Sequence, residues 1–155
     1  MTIEPLVLSF DVRAPRDHAF RAWTERMGAW WPASHTVSGE PGLTVVLEPG
    51  LGGRIYERTA SGEEHEWGRV TLWEPTHRLG YRWHLHQPPE RATDVLLTFT
   101  ETDPDPAPDG PITRIEIQQS SWERLGDEAL ELRHRNHAGW SGVLTHYQQH
   151  LEGAP

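Results

Sequence analysis

Two pairs among the ten histidines have a spacing that could bring two imidazoles onto one metal ion. His84 and His86 are separated by one residue, so a strand would point both rings to the same side, and His146 and His150 lie one helical turn apart. Imidazole is a frequent ligand of zinc and related divalent metals. Neither pair has an evident third ligand, and the alternation around His84 assigns it to the solvated side of its strand. The sequence therefore predicts no metal site and no cofactor.

Other catalytic signatures are also missing from the sequence. The chain has no cysteine, which excludes disulfides, cysteine nucleophiles and thiolate metal sites. No Gly-x-Ser-x-Gly segment marks a serine nucleophile, although a triad assembled only in space leaves no local signature. The glycines in 50–53 lie between two predicted strands and lack the lysine of a phosphate-binding loop. No catalytic residue is therefore predicted.

Four polar aromatic side chains fall at positions that the patterns predict to face inward. His137 lies on the apolar stripe of the last predicted helix, and Tyr56, Tyr81 and Tyr147 occupy comparable positions. Each is interpreted either as a core residue whose polar atoms are hydrogen-bonded or as a group that projects into a cavity. In a cavity, histidine and tyrosine could act as general base and acid on a bound molecule. The sequence alone leaves both interpretations open.

These side chains must be positioned by a sheet and a helix, because the predicted order is one strand, two short helices, about six strands and one long helix. Short turns between the later strands predict an antiparallel sheet, and a single long helix after them must cover one face of it. The fold class is therefore α+β. The predicted strands are 6–13, 44–48, 54–59, 65–73, 79–86, 93–100 and 112–119, the helices are 15–25, about 30–32 and 133–151, and 103–111 is a hairpin tip.

The layer between sheet and helix is predicted to be unusually aromatic. A strand stripe of Leu79, Tyr81, Trp83 and Leu85 faces a helix stripe of His137, Trp140, Leu144, Tyr147 and Leu151. Leucine, isoleucine and valine would be the usual filling of such a layer. Tryptophan and tyrosine are rigid and carry a polar tip, so this layer either closes as core or leaves room for a ligand.

Short motifs occur in a fixed order along nearly the whole chain. They are Phe20-Arg21-Ala22-Trp23-Thr24 followed by Trp30-Trp31-Pro32, Gly52-Gly53-Arg54-Ile55, Gly68-Arg69-Val70, Glu74-Pro75, Arg78-Leu79-Gly80-Tyr81-Arg82-Trp83, and His137-Ala138-Gly139-Trp140. As an ordered set they resemble the family of the C-terminal domain of the activator of the 90-kDa heat-shock chaperone ATPase. That family is a branch of the START-like, or SRPBCC, superfamily, and the resemblance is to its stand-alone bacterial members.

The resemblance implies a helix-grip fold over a single domain, residues 1–155. Such a fold is a curved antiparallel sheet of six or seven strands wrapped on a long C-terminal helix, with two short helices after the first strand. The superfamily includes lipid carriers, hormone binders, polyketide aromatase/cyclases and chaperone activators, so the fold implies a cavity more firmly than it implies an activity.

The charge and composition of the chain limit the classes of molecule that it is expected to bind. The 155 residues carry a net charge of −9, which disfavours nucleic acid and anionic membranes. No apolar run reaches the roughly 20 residues of a membrane span, and the N-terminal residues lack the features of a signal peptide. We therefore expect a cytoplasmic protein, as a monomer or a homodimer.

The function predicted from the sequence is binding of a small apolar or aromatic molecule between the sheet and the C-terminal helix. The predicted ligand-binding residues are Trp31, Tyr56, Tyr81, Trp83, Phe99, His137, Trp140 and Leu144. Two alternatives stay open. One is an enzyme of the aromatase/cyclase or hydrolase type that uses the same cavity, and the other is an interaction module that regulates a chaperone or another protein.

Overall fold

The computed structural model describes residues 3–102 and 110–152. The strands are β1 Leu6–Val12, β2 Thr44–Leu47, β3 Arg54–Arg58, β4 Glu64–Glu74, β5 Arg78–Trp83, β6 Thr93–Thr102 and β7 Ile112–Ser120. The α-helices are α1 Arg16–Glu25, α2 Met27–Trp30 and α3 Ala129–Glu152, and 3₁₀ segments cover Ala33–His35, Pro89–Arg91 and Trp122–Glu128. Residues 103–109 of the predicted hairpin tip lie outside the described part of the chain.

All seven strands form one antiparallel sheet in the order β1-β7-β6-β5-β4-β3-β2. The sheet curls around α3, and irregular register in β3–β4 and β4–β5 accompanies the bend. Gly68 is required in β4, because a Cβ there would lie 1.9 Å from the carbonyl oxygen of Arg82 on β5. Together with the two short helices after β1, this architecture confirms the predicted helix-grip fold.

The C-terminal helix presents a different face to the sheet from the one predicted. Ala129, Trp140, Val143 and Tyr147 are buried, whereas His137 is exposed, so its predicted place on the inward stripe is wrong. Stripes through 136, 140, 143, 147 and through 137, 140, 144, 147 share Trp140 and Tyr147 and have the same helical spacing. Burial of Val143 selects the first stripe.

One end of the layer between sheet and helix, the closed end, is filled by aromatic side chains. Its members are Phe20, Trp23, Trp30, Phe99 and Tyr147, all nearly fully buried. The Tyr147 ring lies 4.9 Å from the ring centroids of both Trp23 and Trp30. The Tyr147 hydroxyl donates a hydrogen bond to the Ala19 carbonyl at 2.6 Å, so α1 and α3 are joined directly. Helices α1 and α2 therefore occupy the space that a ligand would need at this end.

No helix within residues 3–102 and 110–152 is long and apolar enough to cross a bilayer.

Candidate functional site

The other end of the layer, the open end, contains a groove of about 420 Å³. This volume falls in the range of about 300–1,000 Å³ that is usual for small-molecule sites. Its walls come from the residue after α2, the end of β5 and the loop that follows, the inner faces of β6 and β7, the 3₁₀ segment before α3, and α3 itself. Four tryptophans are among the lining residues: Trp31 and Trp83, which are half-buried, and Trp122 and Trp140, which are buried.

Trp31 forms one wall because α2 ends immediately before it. Pro32, which cannot donate a backbone hydrogen bond, follows and turns the chain. The Trp31 indole then donates to the carbonyl oxygen of His35 at 2.9 Å. Its ring lies 5.3 Å from the centroid of Trp67 and 5.5 Å from that of Trp83, so one aromatic cluster supports the wall from behind.

A buried amide fixes the inner floor of the groove. Gln119 on β7 is 1% exposed, and its Oε1 accepts a hydrogen bond from Trp140 Nε1 at 2.8 Å. Its Nε2 donates to the Thr93 hydroxyl at 2.9 Å, and its backbone carbonyl accepts from Trp122 Nε1 at 2.9 Å. A buried amide is costly unless it is hydrogen-bonded. These bonds therefore stabilise Gln119 and hold two of the wall tryptophans in place.

His84 borders the groove, but it is not the solvated residue that the strand alternation predicts. Strand β5 ends at Trp83, the alternation ends with it, and His84 is only 7% exposed. One ring nitrogen lies 3.1 Å from Glu66 Oε2 and the other 3.2 Å from the carbonyl oxygen of Gln87. Both nitrogens are thus engaged by the protein and hold the loop after β5.

A half-buried imidazole lies at the opposite wall. His35 Nδ1 is 3.1 Å from the Ser34 hydroxyl, and its Nε2 is directed at Gly139 of α3, where a Cβ would lie 3.7 Å away. Burial lowers the pKa of His35, and repulsion from His146 and His86 lowers it further. The ring is therefore neutral near pH 7, and Nε2 has no hydrogen-bond partner among the described residues.

A fully buried carboxylate, Glu57 on β3, holds the segment that follows Trp31. Its oxygens accept hydrogen bonds from the backbone N–H groups of Val37 and Ser38, at 2.6 and 2.9 Å. It also accepts one from Trp67 Nε1 at 2.8 Å. Burial raises the pKa of Glu57, but the hydrogen bonds from Ser38, Val37 and Trp67 outweigh it and lower the pKa below its ordinary value. Glu57 is therefore an ionised anchor beneath the groove.

The structure brings three of the eight sequence-predicted site residues together in the groove, namely Trp31, Trp83 and Trp140. Tyr81 and Phe99 are fully buried in the core, and Tyr56 packs under the guanidinium of Arg54.

His137 and Leu144, the remaining two, line a separate pocket between α3 and β1, away from the groove. Sequence reasoning missed His35, Thr93, Gln119 and Trp122. For Gln119 a signal existed, because it continues the inward alternation of Ile115 and Ile117.

Within the described residues, no group of three histidine, aspartate or glutamate side chains could hold a metal ion.

Comparison with known proteins connects this geometry to a family. The family model described as Activator of Hsp90 ATPase homolog 1-like protein matches residues 13–152. No curated protein matches the sequence.

Solved structures extend the likeness. The anthrahydroquino-γ-pyrone synthase Txn09, solved in complex with SUM, is 31% identical; the alignment covers 96% of this chain and 97% of that one, with a TM-score of 0.64. Protein MLL2253 from Mesorhizobium loti is 19% identical over 98% of this chain and 99% of that one, with a TM-score of 0.66. Protein ChR145 from Cytophaga hutchinsonii is 17% identical over 98% and 96%, also with a TM-score of 0.66. The latter two share the fold.

Proposed function

The chain belongs to the family of Activator of Hsp90 ATPase homolog 1-like proteins, and from that premise we propose that it binds a flat, largely apolar aromatic molecule in the groove of its open end. The walls are rigid tryptophan rings, and the volume suits a molecule of two or three fused rings. A groove whose walls are fixed before binding loses little conformational entropy when the ligand enters.

The observation that carries this proposal is the direction of the indole N–H groups. Those of Trp31, Trp122 and Trp140 all donate to protein acceptors, namely the His35 carbonyl, the Gln119 carbonyl and the Gln119 side chain. These donors are consequently unavailable to a ligand. The rings of Trp31 and Trp140 therefore offer apolar surface to the groove, and the fully buried Trp122 lies behind that surface. Such a surface favours stacking with another aromatic ring.

A neutral probe, 2-naphthamide, tests the proposal by isothermal titration calorimetry. We expect saturable binding to the wild type and about fivefold or greater weakening by Trp83→Leu, which removes one aromatic partner. Trp73→Leu is the matched control, because Trp73 contacts Phe20 of the closed end and does not line the groove. Absence of binding to the wild type, or equal affinity in the Trp83→Leu variant, would contradict the proposal.

A second candidate function is ring closure on a bound polyketide-like aromatic, and the full-length 31% identity to the γ-pyrone synthase favours it. His35 would be the proton acceptor in this role, since a neutral imidazole with an unpaired Nε2 is suited to general base catalysis. The phenol oxygen of the substrate attacks a carbonyl carbon of the substrate's side chain, and the phenol proton passes to Nε2 of His35. This proton and a second proton from the substrate are then transferred to the former carbonyl oxygen, which leaves as water.

The test substrate is an anthrahydroquinone with a 1,3-diketone side chain beside a phenolic hydroxyl, kept under anaerobic conditions. We expect the wild type to accelerate γ-pyrone formation and His35→Gln to abolish the acceleration while 2-naphthamide still binds. No acceleration by the wild type, or unchanged turnover in His35→Gln, would eliminate this second function and leave the binding proposal standing.

A further inference from the structure

The ionisable groups that line the groove are all basic, whereas the chain as a whole is acidic. The chain has 23 acidic residues against 14 arginines and contains no lysine. The described residues that line the groove nevertheless include no carboxylate; their ionisable members are His35, His84, His86, Arg91 and Arg135. From this reversal we infer that the bound aromatic molecule carries an ionised acid group, a carboxylate or a phenolate. The inference rests on the binding function proposed above and specifies its ligand class.

Two of these basic groups, Arg91 and Arg135, are always charged and have donors to offer. Arg91 uses Nη2 for hydrogen bonds to the Leu125 carbonyl and to Glu128, and Arg135 uses Nη2 for one to Glu131 at 2.9 Å. Within the described part of the chain, no hydrogen bond engages Nε or Nη1 of either guanidinium. A planar guanidinium presents paired N–H groups that match a carboxylate, and such charge-assisted bonds are stronger than hydrogen bonds between neutral groups.

The carboxylates that already contact these arginines do not prevent ligand binding. The Arg135–Glu131 pair is 69% and 65% exposed, and in the Arg91–Glu128 pair Glu128 is 61% exposed. Exposed ion pairs contribute little, because both partners are well solvated and lose side-chain entropy when they pair. An anion held against the apolar wall of the groove can therefore bind the two arginines together with Glu128 and Glu131, or displace these carboxylates from them.

The order of polarity along the groove sets the orientation of the ligand. At the inner end, Gln119, Thr93 and Trp140 have all of their side-chain polar atoms in hydrogen bonds with one another or with the backbone. At the mouth, Arg91 reaches from its 3₁₀ segment to the segment before α3, and Arg135 lies on the second turn of α3. The aromatic ring accordingly enters first, and the acid group stays at the mouth between the two arginines.

A matched pair of probes tests the inference: 2-naphthoate and 2-naphthamide have the same ring and differ in charge. We expect 2-naphthoate to bind the wild type about fivefold more tightly at pH 7.5 in 50 mM salt, consistent with ion pairs at a partly exposed site. The preference should shrink in 500 mM salt because screening weakens exposed charge pairs.

Arginine variants test whether the groove causes the preference for 2-naphthoate over 2-naphthamide. Arg135→Gln and Arg91→Gln should each lower the ratio of the 2-naphthoate affinity to the 2-naphthamide affinity toward one. If loss of the Leu125 contact unfolds the Arg91→Gln protein, Arg135→Gln alone still tests the inference. Arg114→Gln removes the same charge from a pair with Asp11 on the β1–β7 side of the sheet, outside the groove lining, and should leave the ratio unchanged.

The outcomes separate the two proposals. Equal affinity for both probes in the wild type, or an equal fall of the ratio in Arg114→Gln and Arg135→Gln, would overturn the anionic ligand class while the binding function stands. Failure of both probes to bind would overturn the binding function itself.

Discussion

Trp30 and Trp31 are neighbours in sequence and belong to the two different ends of the layer. Trp30 is 4% exposed and packs against Trp23 and Tyr147 at the closed end, whereas Trp31 is half-buried and forms a wall of the groove. Helices α1 and α2 fill the closed end, and in the described part of the chain nothing comparable fills the open end. The same residue type therefore serves as packing at one end and as the wall of an open groove at the other.

The two ends also differ in what holds their residues in place. At the closed end, aromatic rings contact other rings on several sides, so apolar burial dominates. At the open end, buried polar groups, chiefly Glu57, Gln119 and His84, hold the walls by hydrogen bonds. These hydrogen bonds act together with the ring contacts among Trp31, Trp67 and Trp83 to fix the walls, which is what an open groove of fixed shape requires.

The largest expected difference between the two ends is in free energy of unfolding. Trp23→Ala should cost about 3–5 kcal/mol, the usual range for a buried tryptophan, because Trp23 is fully buried. Trp83→Ala should cost less than half of that, since its half-buried ring already faces the groove. Denaturant unfolding of both variants, with Trp23→Phe as a milder substitution that retains the fold, measures the contrast. Equal losses for the two alanine variants would mean that the open end is ordinary core.

Glu57→Gln tests the polar anchor beneath the groove. The substitution turns an acceptor of three hydrogen bonds into a side chain that presents an N–H to N–H donors, and we expect a loss of about 2 kcal/mol. Because the folded-state pKa of Glu57 is lowered, its stabilisation is present above the unfolded-state pKa near 4.5 and is lost as the pH falls through the folded value.

Unfolding measured at pH 7, 5 and 3.5 should therefore show a shallower acid loss for Glu57→Gln than for the wild type. Glu116→Gln, at an exposed position on β7, is the control and should follow the wild type. A parallel pH dependence in the Glu57→Gln protein would contradict the anchoring role.

The hydrogen bond between Gln119 and Trp140 should be visible as a coupling energy. Gln119→Leu leaves the buried Trp140 indole N–H without its acceptor and should cost about 1–2 kcal/mol. In the Trp140→Phe background that donor is gone, so the same substitution should cost about 1 kcal/mol less. A double-mutant cycle of unfolding free energies measures this difference, and strict additivity would show that the bond does not hold the floor of the groove.

The smallest expected effect is the difference in stability between alanine variants of His84 and His86, which the sequence pattern places on the same side of one strand. His84→Ala removes hydrogen-bonding contacts to Glu66 and Gln87 and should cost about 1 kcal/mol. His86→Ala changes an exposed side chain and should stay within about 0.5 kcal/mol. Thermal unfolding of the two variants side by side is sufficient, and a reversed order would contradict the buried placement of His84.

Much of the fold could be predicted from sequence, because strand alternation, turn residues and the ordered motifs all indicate one sheet and one long helix. The face of α3 could not, since the two alternative stripes share Trp140 and Tyr147 and only packing against the sheet decides between Asn136 and His137. The burial of His84 could not be predicted either, because alternation carries no information about where a strand ends.

The candidate site was predicted in part for a related reason. Trp83 and Trp140 were predicted because aromatic residues on stripes are visible in the pattern, and Trp31 because it belongs to the Trp30-Trp31-Pro32 motif. His35 and Trp122 lie in 3₁₀ segments that have no long hydrophobic period, so their approach to the groove depends on tertiary contacts such as the one between His35 and Gly139. Regular elements were thus predictable, and the loops that complete the site were not.

The most direct test of the central claim uses the indole N–H signals of the eight tryptophans. Protein labelled with ¹⁵N at tryptophan is titrated with 2-naphthamide, and the signals are assigned with single tryptophan-to-phenylalanine variants. We predict concentration-dependent shifts at Trp31, Trp83, Trp122 and Trp140, with Trp23 and Trp30 unmoved. Shifts centred on Trp23 and Trp30, or no shifts at any of the four groove tryptophans, would contradict a binding groove at the open end.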